Sequence, residues 1–180
     1  MKYIGPDFCN ITTLLSDEEL LIQKTANEFV DKEFMPIVNE YYEKGSFPTE
    51  LIPKMGELGF FGATLPKKYG GSEISSTAYG LIMQELEKGD SGLRSVCSVQ
   101  GGLVMYPIFE YGTEEQKEKW LPQLAQGSAV GCFGLTESNH GSDPGGMTTK
   151  AVKDGDDWII NGSKMLSLIH ISEPTRRTPI

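Results

Sequence analysis

Apolar side chains recur at helical spacing through the first two thirds of the chain. The segment SDEEL has the Ser-x-x-Glu spacing of a capping box, which predicts a helix that begins at Asp17. Leu20, Phe29 and Val30 are assigned to the buried face of this helix, and Pro36 bends or ends it. The segment FPTELIPKMGELGFFG opens near a proline and closes on glycines, which predicts a short second helix.

A second long helix is predicted over SSTAYGLIMQELEKGDSG, and Gly89 is expected to stop it. Its buried positions are expected to be Leu81, Ile82 and Leu86. Asp90 or Ser91 can cap the helix that follows, GLRSVCSVQGGLVMYPIFEYG. Because nearly all residues of this following helix are apolar or small, it is expected to lie at the centre of the fold.

The hydrophobic period changes near Gly127, where a helix opened by the capping box TEEQ is predicted to end. Residues 128–137, SAVGCFGLTE, have the short apolar run of a strand. The segment TTKAVKDGDDWIING is typical of two strands around an Asp-Gly turn, and Asn161-Gly162 indicates a further turn. The pattern predicts an α+β chain with a helical domain over residues 1–127 and the start of a β domain over residues 128–165.

Composition and charge narrow the class of protein. With 38% hydrophobic and 23% charged residues the chain can bury a core, and its net charge of −9 argues against nucleic acid or an anionic membrane as a partner. No apolar run in the sequence approaches the length of a membrane span, and the N-terminus lacks the apolar run of a signal peptide. A soluble intracellular protein is therefore expected. Cys9, Cys97 and Cys132 are interpreted as reduced core thiols, and His140 and His170 are too few for a metal centre.

The loop FGLTESNHGSDPGG, residues 133–146, breaks the helical and strand patterns with glycines and hydroxyls. Glycines allow a backbone to approach a ligand closely, and hydroxyls can donate to ring carbonyls or phosphates without adding charge. These residue types fit a large polar cofactor along a strand edge, but they also fit a plain polar turn. No GxGxxG or GxxxxGK[ST] pattern is present, so neither a Rossmann site nor a P-loop is indicated.

The motif GLTESNHGSDPGGM resembles the flavin- and CoA-contacting loop of the acyl-CoA dehydrogenase family, which follows the pattern G-x-T-E-x-x-x-G-S-D. The segments YGTEEQKEKWLPQLAQG before it and WIINGSK after it fit the same family, and the resemblance covers roughly residues 14–164. Within the family, the stretch from LRSVCS to GLTES is most similar to the glutaryl-CoA dehydrogenases.

The resemblance implies a fold of three parts: an N-terminal helical domain, a middle β domain and a C-terminal helical bundle, with FAD between the last two. It implies removal of the proton alpha to the thioester by a glutamate and hydride transfer to flavin N5, because no side chain can accept a hydride. For a glutaryl-CoA dehydrogenase of amino-acid catabolism the products are crotonyl-CoA and CO2. The family further implies a homotetramer, an electron-transfer flavoprotein as acceptor, and a bacterial cytoplasmic or mitochondrial matrix location.

The cofactor residues follow from the motif match. The resemblance implies that four residues line the flavin: Phe133, Gly134, Leu135 and Thr136. It implies that Gly141 and Ser142 close the loop and that Ser142 also faces the CoA portion of the substrate. A simpler interpretation of Phe133 and Leu135 is that they are core residues of a strand.

Arg94 carries the substrate assignment. Burial of a lone cation at the start of a mainly apolar helix is costly unless it is paired. The resemblance implies that Arg94 grips the distal carboxylate of the glutaryl chain, with Ser95 and Ser98 as neighbouring donors and Glu87 as the orienting acid. A guanidinium suits this role because it binds a carboxylate through two parallel hydrogen bonds. The alternative is a salt bridge to Glu87 or Asp90, or simple solvent exposure.

The family pattern stops after NGSK. From about Leu166 the tail SLIHISEPTRRTPI resembles translated sequencing-adapter read-through, so residues 166–180 are set apart and receive no role. No glutamate present matches the family base, so no catalytic residue is assigned. The C-terminal bundle is likewise unmatched, and the 180-residue chain is expected to be an inactive, poorly soluble fragment.

Two other functions stay open at this point. One is another acyl-CoA dehydrogenase, either of the short-chain type or a glutaryl-CoA dehydrogenase that does not decarboxylate. The other is a helical interaction module with no chemistry.

Overall fold

The computed structural model describes residues 7–165. The tail that begins at Leu166, including His170, lies outside the described residues. The chain divides into two compact units, residues up to Ala129 and residues from Val130 onward. None of the helices in the described part of the chain is long and apolar enough to cross a membrane.

Over residues 7–129, the first unit is built from seven α-helices. They are α1 Asp17–Phe29, α2 Val38–Lys44, α3 Leu51–Glu57, α4 Ser76–Gly89, α5 Ser91–Ser98, α6 Tyr106–Tyr111 and α7 Glu114–Ala125. Two π-helical segments continue the helical path, Val30–Phe34 after α1 and Val99–Met105 between α5 and α6. Short 3-10 turns occupy Ile11–Leu14 and Lys67–Tyr69.

Local hydrogen bonds at the helix N-termini confirm the predicted starts. The Ser16 amide donates to the Glu19 carboxylate and the Glu19 amide donates to Ser16 Oγ, which completes the capping box of α1. The TEEQ box at α7 forms in the same way. Asp90, rather than Ser91, caps α5 by accepting from the amides of Gly92 and Leu93. Each cap satisfies backbone donors that have no partner within the helix.

The core lies where α1 packs against α4. Phe29 and Phe60 meet edge to face with ring centroids 5.6 Å apart, and the three predicted core positions of α4 are all buried. The placement of Leu20 on the same face as Phe29 was wrong, because Leu20 is 36% exposed whereas Phe29 is buried. Nine residues at about 100° per residue bring the two side chains to opposite sides of an α-helix.

The expectation of a central helix over residues 92–112 was also wrong in part. The structure divides it into α5, the π-helical segment and α6, and only one face is buried. Leu93, Cys97 and Met105 are fully buried on that face, while Leu103 and Tyr106 are exposed. The π-helical turn changes the angular register, so the apolar residues do not all reach the core.

Buried Gln100 fixes the end of α7 to this segment. Its Nε2 donates to the Leu124 carbonyl at 2.9 Å and to the Ala129 carbonyl at 2.8 Å. The Leu124 carbonyl in the last turn of α7 also accepts from the Gly127 amide at 3.2 Å, and the Ala129 carbonyl lies just after the helix. The amide of Gln100 therefore links the end of α7 to the chain that follows it.

The second unit contains an antiparallel hairpin of β1 Lys150–Asp154 and β2 Asp157–Asn161. Lys150 pairs with Asn161 and Asp154 with Asp157, so the predicted Asp-Gly hairpin is confirmed. Gly155 occupies the first loop position with a φ of 60°. Every residue of both strands is exposed. The two units together give the predicted class, a mainly helical chain followed by a small sheet.

Two further expectations are corrected by the structure. No strand forms over residues 128–137, because no strand among residues 7–165 lies alongside this run to complete a ladder; the run carries one isolated bridge, between Glu137 and His140. The three thiols are free, but only Cys97 is in the core, whereas Cys9 and Cys132 are exposed. Burial raises the pKa of the Cys97 thiol to about 12, which keeps it protonated.

Candidate functional site

Arg94 is held in place by two side chains of the first unit. Its Nε donates to Glu87 Oε2 at 2.7 Å, and its Nη1 donates to Ser98 Oγ at 3.1 Å. The Arg94 side chain is 35% exposed, so the guanidinium lies neither in the core nor free in solvent. Glu87 precedes the end of α4 and Ser98 is the last residue of α5, and the sharp α4–α5 junction at Asp90 brings them to the same cation.

Glu87 is itself oriented by a second donor. Ser91 Oγ donates to Glu87 Oε1 at 2.6 Å, while Arg94 occupies Oε2. The hydrogen bond from Arg94, followed by that from Ser91, lowers the pKa of the Glu87 carboxyl. Glu87 therefore remains charged at neutral pH and fixes the plane of the guanidinium.

The Arg94 contacts separate the alternatives left open by the sequence. The ion pair with Glu87 is present, but Asp90 does not pair with Arg94, because its Oδ1 accepts the two capping amides. Within residues 7–165, two of the five guanidinium N–H groups are used, so three remain available to a ligand. Ser95 contributes its carbonyl, which accepts from Ser98 Oγ, and its role as a side-chain donor stays a prediction.

Residues 133–136 are exposed and belong to no helix or strand of the second unit. Phe133 and Leu135 are each 37% exposed, so their interpretation as core residues of a strand was wrong. In the part of the chain that the structure describes, the amides of residues 133–136 donate no hydrogen bond to the protein. The carbonyls of Leu135 and Thr136 are occupied by Lys164 Nζ at 2.8 Å and by the Met165 amide at 2.7 Å. The carbonyls of Leu135 and Thr136 are thus bonded to the protein, whereas the amides of residues 133–136 can donate to a ligand.

Glu137 is a residue that the sequence analysis missed. It is 5% exposed, and its carboxylate accepts from both the amide and the hydroxyl of Thr148, at 2.7 and 2.9 Å. The Thr149 amide and Lys164 Nζ donate to its other oxygen at 3.0 and 2.9 Å. The nearby Thr149 hydroxyl, which has no hydrogen-bond partner of standard geometry among residues 7–165, the Thr148 amide and the Lys164 ammonium together hold the pKa of the Glu137 carboxyl well below its usual range. The available signal was an acid in a loop that contains neither lysine nor arginine.

Gly162, two residues before Lys164, lies close to Thr149. Gly162 has a φ of 152°, and a Cβ at this position would overlap the Thr149 hydroxyl and lie 2.7 Å from Thr149 Cα. Only glycine allows the two backbones to cross so closely. The predicted turn at Asn161-Gly162 was wrong, because Asn161 ends β2 and residues 162–164 form no turn.

The rest of the loop is less constrained. The backbones of Glu137 and His140 exchange hydrogen bonds at 3.2 and 3.1 Å around a two-residue turn. Gly141 and Ser142 follow this turn and are exposed. No contact among the described residues assigns a function to either, so their predicted contacts with flavin and CoA stay predictions.

Comparison with known proteins places the chain in a family. Residues 16–128 match the family model of the acyl-CoA dehydrogenase N-terminal domain. The chain belongs to the acyl-CoA dehydrogenase family. The predicted architecture, an N-terminal helical domain followed by the start of a β domain, is thereby confirmed.

Similar members of this family include proteins with different substrates in their names. The chain is 41% identical over 152 residues to a probable acyl-CoA dehydrogenase of Bacillus subtilis, covering 83% of the chain and 40% of that protein. It is 34% identical over 150 residues to the mitochondrial short-chain specific acyl-CoA dehydrogenase of Bos taurus, covering 83% of the chain and 36% of that protein.

A solved relative carries a reduced flavin. The structure of a glutaryl-CoA dehydrogenase from Mycobacterium smegmatis in complex with FADH2 aligns with a TM-score of 0.87 and 46% identity. The alignment covers 92% of this chain and 43% of that chain. The chain therefore spans about two fifths of the length of the relatives it matches.

Proposed function

We propose that this chain supplies the N-terminal helical domain, residues 1–127, and the start of the β domain, residues 128–165, of an FAD-dependent dehydrogenase that oxidises glutaryl-CoA to crotonyl-CoA and CO2. The observation that carries the substrate assignment is the held guanidinium of Arg94. The similarity to the mycobacterial glutaryl-CoA dehydrogenase supports the same assignment.

Arg94 has the properties that a distal carboxylate requires. Its charge is permanent, and Glu87 and Ser98 use N–H groups at Nε and Nη1. The N–H groups that remain can form parallel hydrogen bonds to a substrate carboxylate. The ion pair with Glu87 fixes the direction of these donors before the substrate arrives, which reduces the entropy lost on binding.

The backbone of residues 133–136 fits a flavin. Its open amides can donate to the ring, and the Thr136 hydroxyl can add one uncharged donor. The exposed faces of Phe133 and Leu135 can pack against an apolar ring surface, and Gly141 and Ser142 close the loop. When bound, FAD supplies the hydride acceptor that the protein lacks.

The remaining assignments depend on the family. They comprise a homotetramer, an electron-transfer flavoprotein as the acceptor, and a location in the bacterial cytoplasm or the mitochondrial matrix. Residues of this chain bind and orient the substrate in this proposal, and none of them is assigned as the base that removes the alpha proton.

The substrate assignment is tested by Arg94→Met in the full-length protein, because the chain spans only part of the length of its relatives. We expect kcat/KM for glutaryl-CoA to fall by about 100-fold, since a charged hydrogen-bonded pair is lost, while kcat/KM for butyryl-CoA stays within about 3-fold. Lys24→Met removes an exposed cation of α1 and is the matched control. Equal losses with both substrates would contradict the assignment.

A short-chain acyl-CoA dehydrogenase is the second candidate. Glu87 already balances the charge of Arg94, so the guanidinium does not need a substrate anion, and the bovine short-chain enzyme is a relative. This candidate predicts that butyryl-CoA is the better substrate of the unmodified protein. A glutaryl-CoA dehydrogenase without decarboxylation would instead release glutaconyl-CoA and no CO2, which product analysis distinguishes.

A further inference from the structure

We propose that Glu137 and Lys164 form a clamp that positions the backbone of Leu135 and Thr136 for flavin binding, so that both are positioning residues for the cofactor. The inference rests on the proposed function, in which residues 133–136 contact FAD. Neither residue needs to touch the cofactor in this role.

The clamp holds a segment that has no hydrophobic support of its own. Among residues 130–165, Glu137 is the only buried residue, and both strands of the hairpin are exposed. Apolar packing within the described part of this unit therefore cannot determine the path of residues 133–137. Charge-assisted hydrogen bonds are the contacts that remain to do so, and they are stronger than neutral ones.

Glu137 connects three separate stretches of chain. Its Oε2 accepts from the Thr148 amide and hydroxyl, and its Oε1 accepts from the Thr149 amide and from Lys164 Nζ. Thr148 and Thr149 immediately precede β1 and are eleven and twelve residues away along the sequence. Replacement of either carboxylate oxygen by an NH2 group would place a hydrogen-bond donor next to the N–H and O–H donors of these residues, and the hydrogen bonds to that position would be lost.

Lys164 carries the constraint to the flavin-contacting backbone. Its Nζ donates to Glu137 Oε1 at 2.9 Å and to the Leu135 carbonyl at 2.8 Å, and the next residue, Met165, donates its amide to the Thr136 carbonyl at 2.7 Å. Two successive carbonyls of this segment are thus bonded to residues 164 and 165. Because a peptide unit is planar, fixing a carbonyl also fixes the N–H group that follows it. The Thr136 amide, which has no partner among residues 7–165, is oriented in this way, while the Glu137 amide already donates to the His140 carbonyl.

The experiment uses Glu137→Gln and Lys164→Met in the full-length protein, with Asp156→Asn and Lys153→Met as controls on the exposed hairpin. The readouts are the FAD dissociation constant from flavin fluorescence and the fine structure of the visible flavin spectrum. Deuterium exchange of the amides of residues 135–137 is measured on the same samples. We expect each clamp variant to weaken FAD binding by about 10- to 100-fold and to alter the spectrum, with both controls within about 2-fold.

The double variant and two milder variants sharpen the test. Because both residues act through one contact, Glu137→Gln/Lys164→Met should bind FAD no more weakly than the worse single variant. Lys164→Arg keeps the charge and should recover part of the affinity. Thr148→Val removes only one hydroxyl donor and should weaken FAD binding by about 3-fold. This milder variant still tests the clamp if Glu137→Gln does not fold.

The outcomes distinguish the clamp from the proposed function. Faster exchange with unchanged FAD affinity and spectrum would overturn the clamp and leave the proposed function standing. Additive losses in the double variant would also overturn it. If the unmodified full-length protein binds no FAD, both proposals fail.

Discussion

Glu87 and Arg94 lie on opposite sides of the sharp junction between α4 and α5, and Arg94 Nε donates to Glu87 Oε2 at 2.7 Å. Seven residues separate them in the sequence, and they belong to different helices. The junction is held by Asp90, whose side chain caps α5. An orienting acid and the cation it orients are therefore joined by a local structural feature.

Glu87→Gln tests the orienting role in the full-length protein. The variant keeps one acceptor oxygen for Arg94 but loses the charge, so we expect kcat/KM for glutaryl-CoA to fall by about 10-fold, mainly through KM. Butyryl-CoA should be affected by less than about 2-fold. Glu57→Gln, at an exposed position on α3, is the matched control. A larger loss with butyryl-CoA than with glutaryl-CoA would rule out this role.

Gln100→Met tests the support of the α7 C-terminus. Methionine has a similar volume but donates nothing to the carbonyls of Leu124 and Ala129, which the amide now satisfies. We expect the free energy of unfolding to fall by about 2 kcal/mol, because two hydrogen bonds of a buried amide are lost and the Leu124 carbonyl keeps only its backbone donors. Chemical denaturation measures the change, with Gln84→Met on the exposed side of α4 as the control. A difference below about 0.5 kcal/mol between the two variants would contradict the prediction.

Gly162→Ala tests the backbone crossing that returns Lys164 to Glu137. The added Cβ would overlap the Thr149 hydroxyl at a φ of 152°, so the crossing must open. We expect the amide hydrogens of Thr148, Thr149 and Met165 to exchange with solvent at least about 10-fold faster. This factor corresponds to a loss of about 1.4 kcal/mol in the free energy that favours the closed, hydrogen-bonded state of these amides over the open one. Gly141→Ala is the control, because a Cβ there meets no atom within 4 Å. Unchanged exchange in Gly162→Ala would show that the crossing is not needed.

The cluster of Lys68, Tyr69 and Glu114 predicts a specific pH dependence. The Lys68 ammonium, then the Tyr69 hydroxyl, lowers the pKa of Glu114 from 4.5 to about 2. A carboxyl group whose pKa is lower in the folded state stabilises the fold at pH values above its pKa in the unfolded chain. This stabilisation is lost as the pH falls toward the pKa of the folded state. The difference in Tm between the unmodified protein and Glu114→Gln should therefore be constant above about pH 5.5 and shrink below pH 4.5. Glu115→Gln, on the same exposed turn, should show no such change, and a difference that grows on acidification would refute the assignment.

The sequence predicts those elements whose signals are local. The capping boxes of α1 and α7 each join residues three positions apart, so the start of each helix can be inferred from residues close together in the sequence. The Asp-Gly turn likewise sets the pairing of β1 with β2. The motif around Thr136 identifies the family for the same reason, because its glycines, hydroxyls and acid are close together in the chain.

Predictions failed where the environment of a residue depends on distant parts of the chain. Residues 128–137 have the composition of a strand, but a strand also requires a neighbour to pair with, and none among residues 7–165 pairs with this run. Leu103 is apolar and lies in a helix, but a π-helical turn places it at the surface. The sequence gives the identity of each side chain but does not show whether it will lie on the buried or the exposed face of its helix.

The helix starts, the hairpin and the family follow from the sequence alone, because each depends on contacts within a few residues. The tertiary fold determines that Glu137 is buried and that its partner is Lys164, 27 residues later. That pairing requires the hairpin to form and two backbones to cross at Thr149 and Gly162. A carboxylate in a loop is ordinarily a solvated charge, and it becomes a structural centre only when the fold brings donors to it from separate stretches of chain, here residues 148–149 and Lys164.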